Sequence, residues 1–230
     1  MSLETRPSIL RLVAVPAVVS LAVTVLRLVG EVRRWPEAWF SPATGGIIPS
    51  STTWIVGITW LALPFGAWFA WRLVRAGDGP ASAAHALGHA VFGVVLVLGG
   101  SRLVWRPPVE FPRILVAIWL VMVAAAILQW PTWPRLFRVL LAYALLARVP
   151  VVVIMFLAMR GRWGTHYDYV GTPPQFQLPF WSGFFWLAFF PQLLFWVGFT
   201  VLAGSLAGSV VALVARRGAS AVTARPGPVA

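Results

Sequence analysis

Residues 136–159 form one nearly unbroken apolar run, LFRVLLAYALLARVPVVVIMFLAM, and this stretch decides the class of fold. About 20 apolar residues in succession are enough for an α-helix to cross the hydrocarbon core of a bilayer. Arg148 stands near the middle of the run, about 18 Å from either end at 1.5 Å per residue. Its side chain is too short to reach the membrane surface from there. The stretch therefore predicts a transmembrane helix whose one central charge needs a partner inside the membrane.

The composition of the whole chain favours the same environment. Hydrophobic residues make up 60% of the sequence and charged residues only 10%, whereas a soluble domain carries about a quarter charged residues. The mean hydropathy is +0.84. A chain of this composition is solvated by lipid rather than by water.

We predict an all-α integral membrane bundle of about six transmembrane helices, built as a single domain over residues 1–215. Pro64 should kink the second helix, and Pro191 should separate the last helix from an aromatic interfacial segment. The first apolar run is long enough to be a retained helix rather than a cleaved signal peptide. Residues 216–230 are expected to be a disordered tail. The predicted helices are residues 9–30, 53–74, 82–105, 114–130, 136–159 and 191–215.

The formal net charge is +12, and all the basic residues are Arg. Most of these residues stand at the ends of apolar runs, where they meet anionic lipid headgroups. We therefore expect a lipid bilayer and no nucleic acid as partner. The arginines divide almost evenly between the two sides of a six-helix bundle, so the positive-inside rule orients it only weakly. We expect a bacterial cytoplasmic (inner) membrane protein with both termini in the cytoplasm.

The loop at residues 160–179 holds the densest group of polar side chains. If its backbone is extended, His166 and Asp168 point to one side, and a carboxylate beside an imidazole forms an acid–base pair. These two residues are our candidates for catalysis. The alternative is an interfacial loop in which both are solvated or pair with Arg160 and Arg162. By parity this loop lies on the same face as the loop after the first helix, and we expect the two to pack together.

Arg148 has no acid at matching depth in another predicted helix. Hydroxyl groups and backbone carbonyls could satisfy it, which would make it structural; a water-filled cavity or a bound anion would make it a site. Gln129 and Gln192, near helix ends, are predicted to form hydrogen bonds between helices, and together with Tyr143 they are possible neighbours of Arg148. The candidates for binding an anion or a lipid phosphate are Arg148, Arg160, Arg162 and Tyr167.

Two further patterns are weaker. His85 and His89 share a helix face, but the sequence HALGH lacks the Glu of a zinc-binding HExxH helix, so we expect no metal site and no cofactor. Gly204 and Gly208 have the GxxxG spacing that lets helices approach closely. They predict a packing face for a membrane protein partner or for a second copy of the chain.

Residues 143–170, YALLARVPVVVIMFLAMRGRWGTHYDYV, are followed by PQLLFWVGFTVLAGSLAGS at residues 191–209. Together they resemble a group of uncharacterised bacterial multipass membrane proteins. The resemblance covers roughly the last third of the chain and implies a multi-span fold. The group has no assigned activity, so the resemblance implies no role for any residue.

Three functions are compatible with these observations. The first, which we expect, is a structural or interaction subunit that uses Gly204 and Gly208. The second is a small transporter or lipid-handling protein that uses Arg148, and the third is a membrane enzyme that uses His166 and Asp168. A cavity reaching Arg148 would favour the second or third, whereas a filled bundle with an exposed small-residue face would favour the first.

Overall fold

The structure, a computed structural model, describes residues 8–42, 55–104, 113–168 and 178–223, with side chains as far as Arg216. Within these ranges the chain is all-α and contains no strand, which confirms the all-α part of the predicted fold class. Two 3₁₀ turns, Thr59–Leu61 and His166–Asp168, and two π-helical segments, Phe184–Phe189 and Pro191–Trp196, complete it. The α-helices are α1 (Ile9–Val32), α2 (Glu37–Phe40), α3 (Ala62–Arg75), α4 (Ala83–Val104), α5 (Arg113–Ile127), α6 (Pro134–Gly161), α7 (Phe180–Gly183) and α8 (Val197–Thr223).

Four helical segments are long and apolar enough to cross a membrane, by length and composition: Ile9–Val32, Ala83–Val104, Pro134–Gly161 and Phe180–Arg216. The last of these joins α7, both π-helical segments and most of α8. Helix α5 is also apolar but has only 15 residues. This is the composition of a multi-span membrane protein.

Helices α3 and α8 run in the same direction through the centre of the bundle. Gly66 lies against Gly204, and one turn further along both helices Ala70 lies against Gly208. Helix α6 packs on the same face of α8 in the opposite direction, with Leu140 on Gly204 and Leu136 on Gly208.

Helices α1 and α6 run parallel to each other. Ser20 Oγ and Tyr143 OH lie 2.8 Å apart, and near the far ends Glu31 contacts His166, which follows α6. This contact agrees with the expected meeting of the two long connections on one face, although most of both loops lies outside the described residues. The apolar core between α1, α3, α6 and α8 centres on fully buried side chains, among them Leu12, Phe69, Leu73, Leu136, Leu140 and Tyr143.

The second predicted helix starts later than expected. Residues 55–58 form a turn and α3 begins at Ala62, while residues 53 and 54 lie outside the described residues. Pro64 therefore stands in the first turn of α3 and does not kink its middle, so that prediction is wrong. The physical reason is that the N–H groups of a first helical turn have no intrahelical partner, so a proline there removes nothing.

Pro191 does not end a helix either, because it lies inside the continuous segment Phe180–Arg216. The chain widens into π-helical turns on both sides of it, and the N–H of Phe190 donates to the carbonyl of Phe185. A wider turn relieves the clash between a proline ring and the carbonyl four residues before it. The aromatic segment at residues 179–190 is therefore almost entirely part of the last long helix.

Helix α8 continues to Thr223, beyond the predicted end at residue 215. The guanidinium of Arg216 donates to the carbonyls of Pro80 and Ala81, which holds this end of α8 on the turn between α3 and α4. The part of the expected tail up to Thr223 is thus helical, and residues 224–230 lie outside the described residues.

Candidate functional site

A cavity of about 220 Å³ lies between α1, α6, the turn at residues 55–59 and the π-helical segment Pro191–Trp196. The turn His166–Asp168 contributes to one end of it. Its walls combine apolar residues of α6, such as Val151 and Met155, with an unusual number of polar groups for a chain of this composition. The polar side chains lining it are Thr24, Arg27, Thr59, Arg148, His166, Tyr167 and Gln192.

Arg148 lies at the middle of α6 with only 5% of its surface exposed. One terminal nitrogen donates to Gln192 Oε1 at 3.3 Å, and the other donates to Thr59 Oγ1 at 3.5 Å, which is long for a hydrogen bond. The guanidinium carbon also lies 5.0 Å from the ring centre of Trp196. The Nε–H is buried and has no hydrogen-bond partner among the residues that the structure describes. Among the described residues only neutral groups face this charge.

The π-helical segment Pro191–Trp196 supplies two of the neighbours of Arg148. Gln192 and Trp196 are four residues apart and both line the cavity. Short π-helical turns inside α-helices occur frequently at functional sites, because the widened backbone redirects side chains. The prediction that Gln192 is a possible neighbour of Arg148 is confirmed, whereas Tyr143 bonds to Ser20 instead.

The other end of the cavity is formed by Arg27 and His166, which share a buried carboxylate behind them. The Glu31 side chain has no exposed surface, and its Oε1 lies 2.9 Å from Arg27 Nε and 2.6 Å from His166 Nδ1. Its Oε2 accepts a hydrogen bond of 2.9 Å from the backbone N–H of His166. Glu31 is therefore held by three donors, and its charge is balanced by Arg27.

The surroundings of His166 act on its pKa in opposite directions. Burial has the largest effect and lowers the pKa of His166 from its usual value near 6.5, and the charge of Arg27 adds to this; the hydrogen bond that the imidazole makes to Glu31 and the charges of Glu31 and Asp168 oppose it. Its Nδ1–H donates to Glu31, so Nε2 is the nitrogen that takes up a proton. Burial likewise raises the pKa of Tyr167, whose hydroxyl donates to the backbone carbonyl of Thr24 at 3.2 Å.

Asp168 does not pair with His166. Its two carboxylate oxygens accept hydrogen bonds from the backbone N–H groups of Gly164 and Thr165, at 2.9 and 2.8 Å. This caps the 3₁₀ turn His166–Asp168, so the expectation of an extended backbone with both side chains on one side is wrong. A short Asp side chain satisfies nearby N–H groups more readily than it reaches an imidazole two residues away.

The remaining anion-binding candidates separate into two groups. Tyr167 lines the cavity with Arg148. Arg160 and Arg162 are exposed beyond it at the end of α6, where Arg162 adopts a left-handed conformation with φ of 50°. The structure thus brings Arg148, Tyr167 and His166 together and leaves the other two arginines outside.

Gly204 and Gly208 are packing residues within this chain. A Cβ on Gly204 would lie 2.3 Å from Leu140 Cδ2, and one on Gly208 would lie 2.8 Å from Leu136 Cδ2. Because α3 and α6 already cover this face, it is not open to another protein. The expectation of a partner seated on these glycines is therefore wrong.

His85 and His89 lie at the start of α4, outside the cavity, with His85 exposed and the two rings 4.4 Å apart. In the part of the chain that the structure describes, no group of three His, Asp or Glu side chains is placed to hold a metal ion. Gln129 bonds to the carbonyls of Ala125 and His89, as an interhelical hydrogen-bonding residue would.

Glu31 and Arg27 were not predicted to be parts of the site. A local signal was present, because Arg27 and Glu31 are four residues apart on α1 and therefore share a helix face. The partner of Glu31, His166, follows it by 135 residues, and only the expected meeting of the two connections pointed towards it.

No protein family model, no curated protein and no solved structure is similar enough to this chain to count as a match. The site is therefore defined by its geometry alone.

Proposed function

We propose that this membrane protein binds an oxyanion at Arg148, either a small free anion or the phosphate of a lipid headgroup, and acts as a small transporter or lipid-handling protein. The proposal rests on the surroundings of Arg148. Its guanidinium is buried beside a cavity, has an unpartnered Nε–H and faces only neutral side chains among the described residues.

Energetics support a ligand at this position. An arginine at the centre of a membrane helix costs at least about 2.5–3.5 kcal/mol, and two long hydrogen bonds to neutral groups recover only part of that. A planar guanidinium carries five N–H donors in a fork that matches phosphate and carboxylate geometry. An oxyanion bound beside the guanidinium would neutralise the charge that these neutral groups leave unpaired.

The walls of the cavity suit such a ligand. Thr24 and Thr59 provide hydroxyl groups, Trp196 provides an aromatic surface, and Arg27 provides a second cation at the other end. A volume of about 220 Å³ accommodates a small molecule or a single headgroup phosphate with its water. The apolar residues from α6 suit the hydrocarbon side of an amphipathic ligand equally well.

Six crossings in a bacterial cytoplasmic membrane, with both termini in the cytoplasm, belong to this proposal. The alternating helix directions support it: α1 and α6 run one way, and α3 and α8 run the other. Helices α4 and α5 also pack against each other in opposite directions, with Gly93 near Ala125 and Gly100 near Val121. Helices α3 and α5, with 14 and 15 residues, span a bilayer only where it is thinned locally.

A structural or interaction role through Gly204 and Gly208 finds no support, because the neighbouring helices of the same chain fill that face. The cavity beside Arg148 favours ligand handling instead.

The test compares Arg148→Leu with Arg160→Gln, an exposed arginine on the same helix, after purification in mild detergent. Sulfate or phosphate, compared with chloride at equal ionic strength, should raise the melting temperature of the wild type and of Arg160→Gln. The same salts should not raise that of Arg148→Leu. Native mass spectrometry of the three proteins separates the two sources, because a lipid phosphate would appear as a retained lipid that Arg148→Leu loses. Equal ligand responses in all three proteins would overturn the proposal.

A further inference from the structure

We propose that His166, seated on Glu31, is a proton-binding site of the same cavity, so that the protein binds its oxyanion together with one proton. This inference rests on the proposed function at Arg148. It adds a second ligand, the proton, and assigns that ligand to a residue at the opposite end of the cavity.

The hydrogen bonds around His166 leave one ring nitrogen for this task. Nδ1 lies 2.6 and 2.8 Å from the two oxygens of Glu31, which fixes it as the donor. The proton therefore adds to Nε2, and the imidazole lines the cavity with 22% of its side-chain surface exposed. A residue in this position is sheltered by the fold but remains within reach of water and of a bound ion.

Among the described residues, the charged groups near His166 come from three parts of the molecule, and the one other titratable side chain against its ring is that of Tyr167. Helix α1 contributes Arg27 and Glu31, the turn itself contributes Asp168, and α6 contributes Arg148 further along the cavity. Arg27 and Glu31 form an ion pair, so the cavity carries one net positive charge from Arg148 while His166 is neutral. Protonation of His166 adds a second positive charge, which suits a divalent oxyanion.

Anion and proton then favour each other's binding. Burial lowers the pKa of His166, and a nearby negative charge raises the pKa of an imidazole. The affinity for a divalent anion should therefore rise as the pH falls below the usual range of histidine. Since one proton is involved, the change cannot exceed about tenfold per pH unit.

Sulfate is the appropriate probe, because it stays fully ionised where histidine titrates, whereas phosphate takes up a proton of its own. Sulfate affinity is measured by calorimetry in mild detergent between about pH 5.5 and 8, for the wild type, His166→Gln and His85→Gln. We expect tighter binding at lower pH for the wild type and for His85→Gln. For His166→Gln we expect binding that does not depend on pH.

Proton uptake by the wild type is measured separately, by repeating the titration in buffers of different ionisation enthalpy. We expect up to one proton taken up per sulfate, and this readout remains valid if His166→Gln fails to fold. Sulfate binding with no pH dependence and no proton uptake would overturn the proton site and leave the anion site intact. A pH dependence that persists in folded His166→Gln would overturn the assignment to His166. If the wild type binds no sulfate at any pH and retains no lipid in native mass spectrometry, the proposed function and this inference fail together; if it binds no sulfate but retains a lipid that Arg148→Leu loses, this inference alone fails.

Discussion

We call the contact between Gly66 of α3 and Gly204 and Gly208 of α8, on which Leu136 and Leu140 of α6 pack, the glycine seam. The glycine seam and the cavity beside Arg148 are neighbours in the bundle but are built in opposite ways. On α6, Leu140 of the seam and Arg148 of the cavity are only about two helical turns apart. At the seam a Cβ on Gly66 would lie 2.4 Å from the Cα of Gly204, so backbone meets backbone. At the cavity about 220 Å³ is left unfilled beside a buried charge.

The contrast shows how one small bundle can keep close packing and a polar cavity in separate regions. The seam is apolar and filled, and it leaves no room for a ligand. About two turns before Gly204 in the same long helix, the π-helical segment Pro191–Trp196 replaces regular α-helix. Here the close packing ends and a cavity with polar walls begins. Substitutions at the seam should therefore change stability, and substitutions at the cavity should change binding.

Gly66→Ala should have the largest effect, because it pushes a methyl group into the backbone of α8. Backbone cannot move aside as a flexible side chain can, so we expect a loss of about 1–3 kcal/mol or more of the free energy of unfolding. Denaturant titration of helicity in detergent measures it. The matched control is Gly99→Ala on α4, where an added Cβ meets nothing within 4 Å. That change should be neutral or stabilise by up to about 1 kcal/mol. Equal results for the two variants would mean that α3 and α8 are not in close contact.

Arg148→Leu should have the opposite sign. It removes a charge that the described residues do not neutralise, at the expense of two long hydrogen bonds to Gln192 and Thr59. Replacement of buried charges by apolar residues of similar volume is often neutral or stabilising, and we expect equal stability or a gain of up to about 2 kcal/mol. The same denaturant titration checks it, with exposed Arg160→Leu expected within about 0.5 kcal/mol of the wild type. A loss above about 1 kcal/mol in Arg148→Leu alone would identify the charge as structural.

The sequence predicted those parts of the molecule that depend on local pattern. Apolar length gave the long helices, and the position of Arg148 within its run gave the central buried charge. The GxxxG spacing correctly indicated close packing at Gly204 and Gly208. It could not show which helix fills that face, because the partner Gly66 belongs to a segment more than a hundred residues away along the chain.

The missed features depend on contacts between distant segments or on backbone adjustment. The alternation of side chains along an extended chain predicts that Asp168 lies beside His166. In the structure the Asp168 carboxylate instead accepts hydrogen bonds from the backbone N–H groups of Gly164 and Thr165. The imidazole of His166 bonds to Glu31 on α1 instead. No periodic pattern in the sequence links these two residues. Pro191 was predicted to end a helix. In the structure π-helical turns accommodate the proline within a continuous helix, and Gln192 beside it bonds to Arg148.

The pH dependence of stability should be the smallest of these effects. It tests the end of the cavity that is formed by Arg27 and His166 in front of Glu31. Because burial lowers the pKa of His166 in the folded protein, the unfolded chain binds more protons below the usual histidine value near 6.5. This contribution to stability is fully present above about pH 6.5 and is lost as the pH falls from there to the lower folded-state pKa, by no more than about 1.4 kcal/mol per pH unit. Melting temperatures of the wild type and His166→Gln, without added anion, should therefore diverge on acidification, with the wild type losing more.

Two variants sharpen this last measurement. His85→Gln, an exposed histidine outside the cavity, should follow the wild type at every pH. Gly66→Ala should lower the melting temperature by a similar amount at every pH, because the seam and His166 share no contact and distant sites act additively. If the wild type instead gained stability relative to His166→Gln on acidification, the attraction of Glu31 for an imidazolium would outweigh burial. His166 would then be charged before the anion binds, and the anion would meet two positive charges in the cavity without the uptake of a proton.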